Sequence, residues 1–367
     1  MPRLPFAGVP TPTPPTSPPT SPRRDPGLRR AAGLPALLAA CLLLARPALA
    51  EEVAASPGPA PAFDVVVLGA TGGIQDGNLS AFLVRPAGAA RGVACDAGSL
   101  VNGIRVAEAR GAFDDLALPA DGRWTRVGHV LRDVIQGVLL SHAHLDHVLG
   151  LVIASPDDAP KPVYALPSTH AALSASVFNW SAWPNLSDRG RPPRLGTYRL
   201  QDLAPGVRQP LVGTALGVTA YPLAHAGTES TAFLIDHGEQ ALLCLGDTGP
   251  DPVERSDRLQ SLWQAVAPWL RQGRLRAIIV EASYPSDRPD ALLFGHLTPA
   301  WLMSSLRQLA GLVGPEALRG LPLVVSHVKF GLEAGPSPAQ RIERELEAAN
   351  DLGLRIVMPR QGDRYRF

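Results

Sequence analysis

Residues 141–150 read SHAHLDHVLG and directly follow the apolar residues 138–140. His142 and His144 are separated by one residue, so an extended segment would direct both side chains toward the same metal ion. Asp146 and His147, just past a turn, would reach a second ion nearby. Imidazole and carboxylate together suit zinc, with iron and manganese as alternatives. A polar loop with unrelated histidines is the competing interpretation, and the dense H-x-H-x-D-H spacing argues against it.

The first fifty residues are typical of an export signal. A long Pro-, Thr- and Ser-rich stretch and two arginine pairs precede an apolar run over residues 31–45. That run is too short for a permanent membrane span. Residues 48–50 read Ala-Leu-Ala, the small-residue pattern of a signal-peptide cleavage site. We therefore predict a signal peptide over residues 1–50, cleaved after Ala50.

The mature chain is then expected to begin with a flexible linker over residues 51–62 and to be periplasmic. The alternative is a lipid anchor on Cys41, because residues 38–41 read Leu-Ala-Ala-Cys and resemble a lipobox. Apolar residues continue after Cys41, which favours cleavage at Ala50 and soluble export.

Net charge limits the class of partner, and the two remaining cysteines allow a prediction about burial. Removing residues 1–50, which hold six arginines and one aspartate, leaves 28 basic and 32 acidic side chains and a net charge of −4. A weakly acidic chain has no electrostatic footprint for a nucleic acid polymer, so we expect a small-molecule partner. Cys95 and Cys244 lie in apolar runs and are predicted to be buried free thiols, with a disulfide as the alternative.

Apolar runs rich in Val, Ile and Leu alternate with turn residues from residue 63 onward, which predicts strands. The runs cover residues 64–69, 81–84, 93–96, 137–140, 219–222, 231–236, 241–245, 277–280 and 321–325. Helical patterns cover residues 167–177, 257–271, 299–312 and 337–352. Neither an internal repeat nor a linker divides this part, so we predict one mixed α/β domain over residues 63–367.

Polar candidates for catalysis or metal binding follow several of these strands. His142, His225, Asp247, Glu281 and His327 each come at or just after the carboxyl end of a predicted strand. Strand ends that share a sheet edge bring side chains distant in sequence into one cleft. The pattern therefore predicts a single site built around residues 142–147.

This arrangement resembles the metallo-β-lactamase fold family, which implies an αββα sandwich. The resemblance implies three sets of residues: His142, His144 and His225 for one ion; Asp146, His147 and His327 for the other; Asp247 as a bridge. It also implies that Asp96 orients a ligand without binding metal itself. Two divalent ions, most often zinc, are the cofactors that this resemblance implies.

Residues 142–156 read HAHLDHVLGLVIASP, which resembles the signature of the class II 3′,5′-cyclic-nucleotide phosphodiesterases. Further segments resemble the same family: residues 77–84, 95–99, 178–185, 229–233, 246–251, 294–299 and 326–329. One departure is Cys95, where an aliphatic residue is more usual. The implied activity is metal-dependent hydrolysis of 3′,5′-cyclic AMP to the 5′-monophosphate, with cyclic GMP as a second candidate substrate.

The resemblance also implies how the bond is cleaved. A hydroxide shared by the two metals would attack phosphorus, with Asp146 among the catalytic groups as well as the ligands. His296 would protonate the departing 3′ oxygen, and Glu281 would keep that histidine protonated and oriented. The structural alternative is that Glu281 forms a strand-end ion pair and His296 lies in an ordinary loop.

The substrate pocket is less well defined by the residues. Phe178, Trp180 and Trp183 form an aromatic group that could stack on adenine, although a small packed core is the competing interpretation. Lys329 could contact a phosphate oxygen. The remaining histidines are predicted to be ordinary surface or loop residues: His129, His170 and His237.

Two other functions remain open at this point. One is another hydrolase on the same scaffold, either an RNA-processing phosphodiesterase or a thioester hydrolase. The other is a metal-containing protein that captures a nucleotide without cleaving it. A complete ligand set and the Glu281–His296 pair argue against capture alone.

Overall fold

The computed structural model describes residues 60–367. The predicted signal peptide, Cys41 and linker residues 51–59 lie outside this range. Among the described residues, no helix is both long and apolar enough to cross a bilayer.

The first of two seven-stranded sheets is mostly built from the N-terminal half of the described chain. Its strands are β1 (Phe63–Gly69), β3 (Ala81–Pro86), β4 (Gly92–Cys95), β5 (Ile135–Leu139), β6 (Lys161–Ala165), β7 (Tyr198–Asp202) and β16 (Arg364–Arg366). Their spatial order is β16-β1-β3-β4-β5-β6-β7, with β4 to β7 parallel to one another. The C-terminal strand β16 pairs with β1, so the end of the chain completes the first sheet.

The second sheet takes up the rest of the chain. Its strands are β8 (Arg208–Pro210), β9 (Gly217–His225), β10 (Thr228–His237), β11 (Gln240–Leu245), β12 (Leu275–Glu281), β13 (Pro322–Ser326) and β15 (Arg355–Val357). Their order is β15-β13-β12-β11-β10-β9-β8, and β11, β12, β13 and β15 are parallel. A short parallel pair joins β2 (Thr71–Gly72), which follows β1 of the first sheet, to β14 (Val328–Lys329), which follows β13 of the second.

Helices cover the outer faces. They are α1 (Val101–Ala109), α2 (Arg126–His129), α3 (Leu145–Ala154), α4 (Pro167–Ser176), α5 (Asp251–Glu254), α6 (Arg258–Arg271), α7 (Pro299–Val313) and α8 (Pro338–Ala349). A π-helical turn covers Val130–Val134, and 3₁₀ turns cover Asp290–Leu292 and Pro315–Leu318. Helix α7 begins at a capping Thr298 and helix α8 at a Ser337–Gln340 capping box, which satisfy backbone N–H groups at those ends.

Alternating side chains explain why the sheets stack face to face. On β1, Val65 and Val67 point into the core between the sheets, whereas Val66 and Leu68 pack against the helices outside. The second sheet shows the same division, with Ile279 between the sheets and other β12 residues against α6 and α7. Because both faces of each sheet are buried, the strands read as continuous apolar runs. The predicted αββα sandwich is confirmed.

The predicted strands and helices are present, with ends shifted by a few residues. The missed strands include β6, β7, β8, β15 and β16, which are short or carry charged residues and therefore lack a continuous apolar run. Ala62 is the last residue of the predicted linker. Ala62 donates its N–H to the carbonyl of Phe367 and accepts from Ala87, so it already belongs to the folded part.

The free-thiol prediction for the two cysteines is wrong. Cys95 on β4 and Cys244 on β11 form a disulfide, with Cα atoms 6.9 Å apart. Both residues are buried in the core between the sheets, so the bond joins one sheet to the other. Burial was predicted correctly, but the pairing depends on how the sheets face each other, which the two separated apolar runs do not reveal.

Candidate active site

Strand ends collect the predicted site residues at one edge of the sandwich. Strand β5 leads into His142 and His144, and helix α3 starts at the next residue, which puts Asp146 and His147 in its first turn. On the second sheet His225 ends β9 and Glu281 ends β12. Asp247 and His327 follow β11 and β13, which are parallel to β12 and therefore end at the same edge.

Three histidines form one possible metal-binding group: His142, His144 and His225. Nε2 of His225 and Nδ1 of His144 are 3.2 Å apart, close to the distance of about 3.3 Å between neighbouring ligand atoms of a tetrahedral zinc site. Nε2 of His142 is buried and has no hydrogen-bond partner among the described residues. Leaving a buried ring nitrogen unpaired is costly, and a cation between these three atoms would remove that cost.

A second group consists of Asp146, His147 and His327. Nε2 of His327 lies 3.2 Å from a carboxylate oxygen of Asp146 and 3.1 Å from Nε2 of His147. The mixed nitrogen and oxygen donors suit a divalent transition metal. These residues fit the second predicted ion.

Asp247 lies between the two groups. Its Oδ1 is 3.2 Å from Nε2 of His147, and its Oδ2 is 3.3 Å from Nε2 of His327. On the other side, Oδ2 is 3.8 Å from Nε2 of His142 and 3.7 Å from Nε2 of His225. One carboxylate therefore faces both histidine groups, as the bridge prediction requires.

Two serines hold matching positions behind the ligands. Ser141 Oγ donates to Asp96 at 2.9 Å and lies 3.0 Å from Nδ1 of His142. Ser283 Oγ donates to Glu281 at 2.5 Å and lies 3.0 Å from Nδ1 of His327. A proton on each Nδ1 directs the lone pair of Nε2 toward the metal position.

Two further groups orient histidines in the same way. Asp96 accepts from Nδ1 of His147 at 2.8 Å, which agrees with its predicted orienting role. The carbonyl of Gly295 accepts from Nδ1 of His225 at 2.8 Å. Gly295 has φ +79° and an added Cβ would lie 2.6 Å from that same nitrogen, so the close approach requires glycine.

Backbone strain accompanies these contacts. The residues Asp96, Ala226 and His327 all have positive φ, at 54°, 46° and 56°. Non-glycine residues adopt this left-handed region at a cost, and such residues concentrate at functional sites. Two of them are site residues and the third follows His225 directly.

Burial and neighbouring charges set the protonation of the cluster. Burial lowers the pKa of His142 and of His144, and the nearby His147 and His225 charges lower them further. Both rings are therefore neutral, which is the form that binds metal. Burial alone would raise the pKa of Asp247, but His147 and His327 hold it well below its usual range. Asp247 thus carries a buried negative charge between the two histidine groups.

Glu281 and His296 form a buried ion pair beside the cluster. Nδ1 of His296 lies 3.0 and 3.1 Å from the two oxygens of Glu281, whose carboxylate also accepts from the Thr248 N–H at 2.8 Å. Although burial acts to lower it, the Glu281 charge raises the pKa of His296. The same ion pair lowers the pKa of Glu281 against the effect of burial.

His296 is also close enough to complete two other donor groups, with His225 and Asp247 or with Glu281 and His327. Its Nδ1 is the atom nearest Asp247, at 3.7 Å. Because that nitrogen already donates to Glu281, its lone pair is not available to a metal. The geometry therefore favours a proton-transfer role over a ligand role.

The aromatic prediction for the base pocket is wrong for Phe178. That side chain has no exposed surface and packs in the core between the first sheet and its helices, 6.1 Å from the Tyr198 ring. Trp183 packs against the same core and donates to Ser155, whereas Trp180 is 39% exposed and donates to the Pro193 carbonyl. Adenine stacking by these two tryptophans stays a prediction.

Lys329 is the predicted pocket residue that does reach the site. Its Nζ lies 3.5 Å from the Asp146 carboxylate, and its backbone N–H donates to the Ser283 carbonyl. His129, His170 and His237 are outside the cluster, as predicted. The surface prediction is nevertheless wrong for His170, which is 1% exposed and pairs with Asp202 at 2.7 Å.

Sequence reasoning assigned no role to several residues that hold the site together: Ser141, Ser283, Gly295 and Thr248. Each lies next to a predicted site residue in the chain or across the cluster. Short hydroxyls and glycines carry no chemical signal that separates them from ordinary turn residues. Only the three-dimensional contacts identify them.

Comparisons with known proteins identify the family. The sequence model of the class-II cAMP phosphodiesterases matches residues 63–362. The chain belongs to that family. A 3′,5′-cyclic-nucleotide phosphodiesterase of Aliivibrio fischeri is 45% identical over 306 residues, which cover 83% of this chain and 93% of that protein.

Solved structures identify the fold. Unliganded yeast PDE1 superposes with a TM-score of 0.73 and 24% identity, over 84% of this chain and 99% of that one. The metallo-β-lactamase fold protein YhfI from Bacillus subtilis superposes with a TM-score of 0.52 and 14% identity, over 84% of this chain and 100% of that one. The fold is therefore the metallo-β-lactamase fold.

Proposed function

We propose that this chain hydrolyses the 3′ ester of 3′,5′-cyclic AMP at a centre of two zinc ions and releases 5′-AMP. Family membership supports the substrate. One observation supports the metal centre most strongly: two donor groups face a single shared carboxylate, Asp247, within hydrogen-bonding distance of His147 and His327.

The proposed ligand sets are His142, His144 and His225 for one ion, and Asp146, His147 and His327 for the other. Bound ions would neutralise charge on the phosphate oxygens and lower the pKa of a shared water toward about 7. The chain itself holds the ligands in register through Ser141, Ser283, Asp96 and Gly295. This pre-arrangement means that little reorganisation is needed when charge develops on phosphorus.

Proton supply to the leaving group is assigned to His296. Cleavage breaks the bond between phosphorus and the 3′ oxygen, and that oxygen leaves as a strongly basic alkoxide unless it is protonated. The Glu281 carboxylate fixes Nδ1 of His296 and raises its pKa, which leaves the Nε2 proton for transfer. Water supplies the oxygen gained by phosphorus, so the single product is 5′-AMP, whose ribose carries the new 3′ hydroxyl.

The metal requirement is tested on the purified mature protein by elemental analysis and cyclic AMP turnover. We expect two zinc ions per chain, loss of turnover after dialysis against a chelator, and recovery on adding zinc back. Manganese and iron are added to parallel samples to compare their recovery. Full turnover by the chelated protein would overturn the proposal.

The acid role is tested with two substrates of different leaving group. We expect His296→Asn to slow cyclic AMP hydrolysis by about 10²- to 10⁴-fold. Hydrolysis of bis(p-nitrophenyl) phosphate should fall much less, since p-nitrophenolate leaves without a proton. His170→Asn is the matched control, because His170 is buried but lies outside the cluster. Equal losses on both substrates would rule out the acid role.

We further propose that the mature chain works in the periplasm after cleavage at Ala50. The buried Cys95–Cys244 disulfide supports an oxidising compartment, since such bonds are rare in reducing cytoplasm. Cell fractionation with N-terminal sequencing tests this, and the soluble chain should begin at Glu51. A membrane-bound chain that becomes soluble in Cys41→Ser would establish the lipid anchor instead.

A further inference from the structure

A large cavity of about 830 Å³ lies beside the cluster of histidines and carboxylates. One wall is the loop over residues 284–289, and the other is the segment over residues 329–338. Its lining includes three apolar, one aromatic and two cationic side chains outside the metal-ligand set: Ile74, Phe330 and Leu332 with Tyr284, Arg288 and Lys329. Its volume falls within the range of about 300–1,000 Å³ that small-molecule sites occupy.

Two of the residues that line the cavity lie beside the catalytic groups. Tyr284 lines it, and the Tyr284 ring is 5.8 Å from the His296 ring. Lys329 lines it too, and its Nζ lies 3.5 Å from the Asp146 carboxylate. The cavity is therefore close enough to receive the rest of a ligand whose phosphate reaches the cluster.

Apolar side chains are unusually exposed around the opening. Ile74 is 63% exposed, Phe330 55% and Leu332 84%. Three large apolar groups around one concave surface mark a ligand site more often than chance exposure does. Their flat and branched surfaces suit the two faces of a purine ring.

Arg288 is held over the cavity wall. Its guanidinium carbon lies 4.1 Å from the centre of the Tyr284 ring, and its Nε donates to the Leu292 carbonyl at 2.9 Å. Within residues 60–367 no carboxylate forms an ion pair with it. Its terminal N–H groups are therefore available to acceptors on a ligand.

The loop that carries Arg288 is fixed to helix α8. Asp287 pairs with Arg341 at 2.8 Å, and the Ser286 N–H donates to Glu345 at 2.8 Å. The cavity also holds more cationic than anionic side chains, which favours an anionic ligand. A preorganised cationic wall loses little freedom when it binds.

We propose that the large cavity binds the nucleoside part of the cyclic nucleotide and that Arg288 is a positioning residue for the purine. The purine lies between the apolar side chains Ile74, Phe330 and Leu332, and the terminal N–H groups of Arg288 donate to its ring acceptors. This inference rests on the proposed function and moves base recognition away from Phe178, Trp180 and Trp183.

The test compares substrates with and without a nucleoside. We expect Arg288→Ala to raise the KM for cyclic AMP by about tenfold or more with little change in kcat, since a hydrogen bond to a charged group is lost. Turnover of bis(p-nitrophenyl) phosphate should be unchanged. The double variant Phe330→Ala/Leu332→Ser should act in the same way.

Binding supplies a readout that does not depend on turnover. Equilibrium dialysis with a phosphorothioate analogue of cyclic AMP should show a Kd at least about tenfold weaker for Arg288→Ala. Arg307→Ala is the matched control, because that exposed arginine pairs with Asp351 outside the cavity. Circular dichroism checks that each variant is folded.

Two results would overturn the inference: unchanged KM and Kd for Arg288→Ala, or equal losses on both substrates. If the wild-type protein cleaves bis(p-nitrophenyl) phosphate but not cyclic AMP, the proposed function fails instead. That outcome is read from the wild type alone, so the two failures are distinguishable.

Discussion

The two halves of the site are built in different ways. The first half comes from one short segment after β5, where four candidate ligands lie within residues 142–147. The second half is spread over about a hundred residues, from His225 at the end of β9 to His327 after β13. Both halves nevertheless use the same device, a serine that donates to a carboxylate and contacts Nδ1 of a histidine.

This difference shows which interactions can be local. A compact loop and the first turn of a helix bring the four ligands of the first half together, and Asp96, distant in the chain, orients them through Ser141 and His147. The second half depends on the order and register of β9, β11, β12 and β13. The disulfide and Asp247 connect the halves, so they are the places where the comparison can be tested.

Asp247 should have the largest effect, because both halves face it. We expect Asp247→Asn to bind fewer than two zinc ions and to lose more than about 100-fold in turnover, the upper cost of losing a group that only orients a ligand. Elemental analysis and cyclic AMP hydrolysis measure both. Asp236→Asn is the control, since Asp236 is buried near the opposite end of β10. Two bound ions with normal turnover would contradict the shared bridge.

Removing the disulfide between the two sheets should have the second largest effect. We expect the Cys95→Ala/Cys244→Ala double variant to lose about 2–5 kcal/mol in free energy of unfolding, with the upper value favoured because the bond joins residues 149 positions apart. Denaturant titration of the metal-free proteins measures this, with reduced wild type as the parallel sample. Zinc affinity should also fall, since Asp96 follows Cys95 directly and Asp247 lies three residues after Cys244. Equal stability would mean that the core alone fixes the sheets.

The two serines compare the halves directly. We expect Ser141→Ala and Ser283→Ala each to lower zinc affinity by about 10- to 100-fold, since each releases one ligand histidine. Competition with a chelating dye measures the affinity. Ser305→Ala serves as control, because its hydroxyl is also buried but accepts from Trp263 away from the site. A loss in one variant only would show that the halves are not supported in the same way.

The smallest effect concerns a histidine outside the cluster. Burial lowers the pKa of His170 although Asp202 acts to raise it, so the unfolded chain takes up a proton more readily. His170 therefore contributes stability above its unfolded pKa of about 6.5, and this contribution is lost as pH falls. Between pH 7.5 and 5.5 the loss should be at most about 1.4 kcal/mol.

His170→Gln should remove that part of the pH dependence, measured by urea unfolding at several pH values. His237→Gln is the comparison in the second sheet, because His237 lies at a strand end with part of its surface exposed. If the free energy of unfolding changes equally with pH in wild type and in His170→Gln, this histidine does not contribute to the pH dependence of stability.

Several features of the site could be predicted before any coordinates. H-x-H-x-D-H is local, and its ligand types name the chemistry without reference to the fold. Apolar runs identified β1, β11 and β12, because strands buried on both faces carry continuous apolar sequence. Short edge strands such as β8 and β16 carry arginines and have no continuous apolar sequence, so the apolar runs do not identify them.

The amino-acid sequence by itself determined the candidate metal-binding segment, the α/β class and the resemblance to the family. Tertiary structure decided that Asp247 faces both histidine groups, that Cys95 meets Cys244, that Phe178 is core, and that Arg288 lines the large cavity. Backbone hydrogen bonds between strands and the stacking of two sheets set these contacts. Such interactions join residues far apart in the chain, so local residue patterns do not predict them.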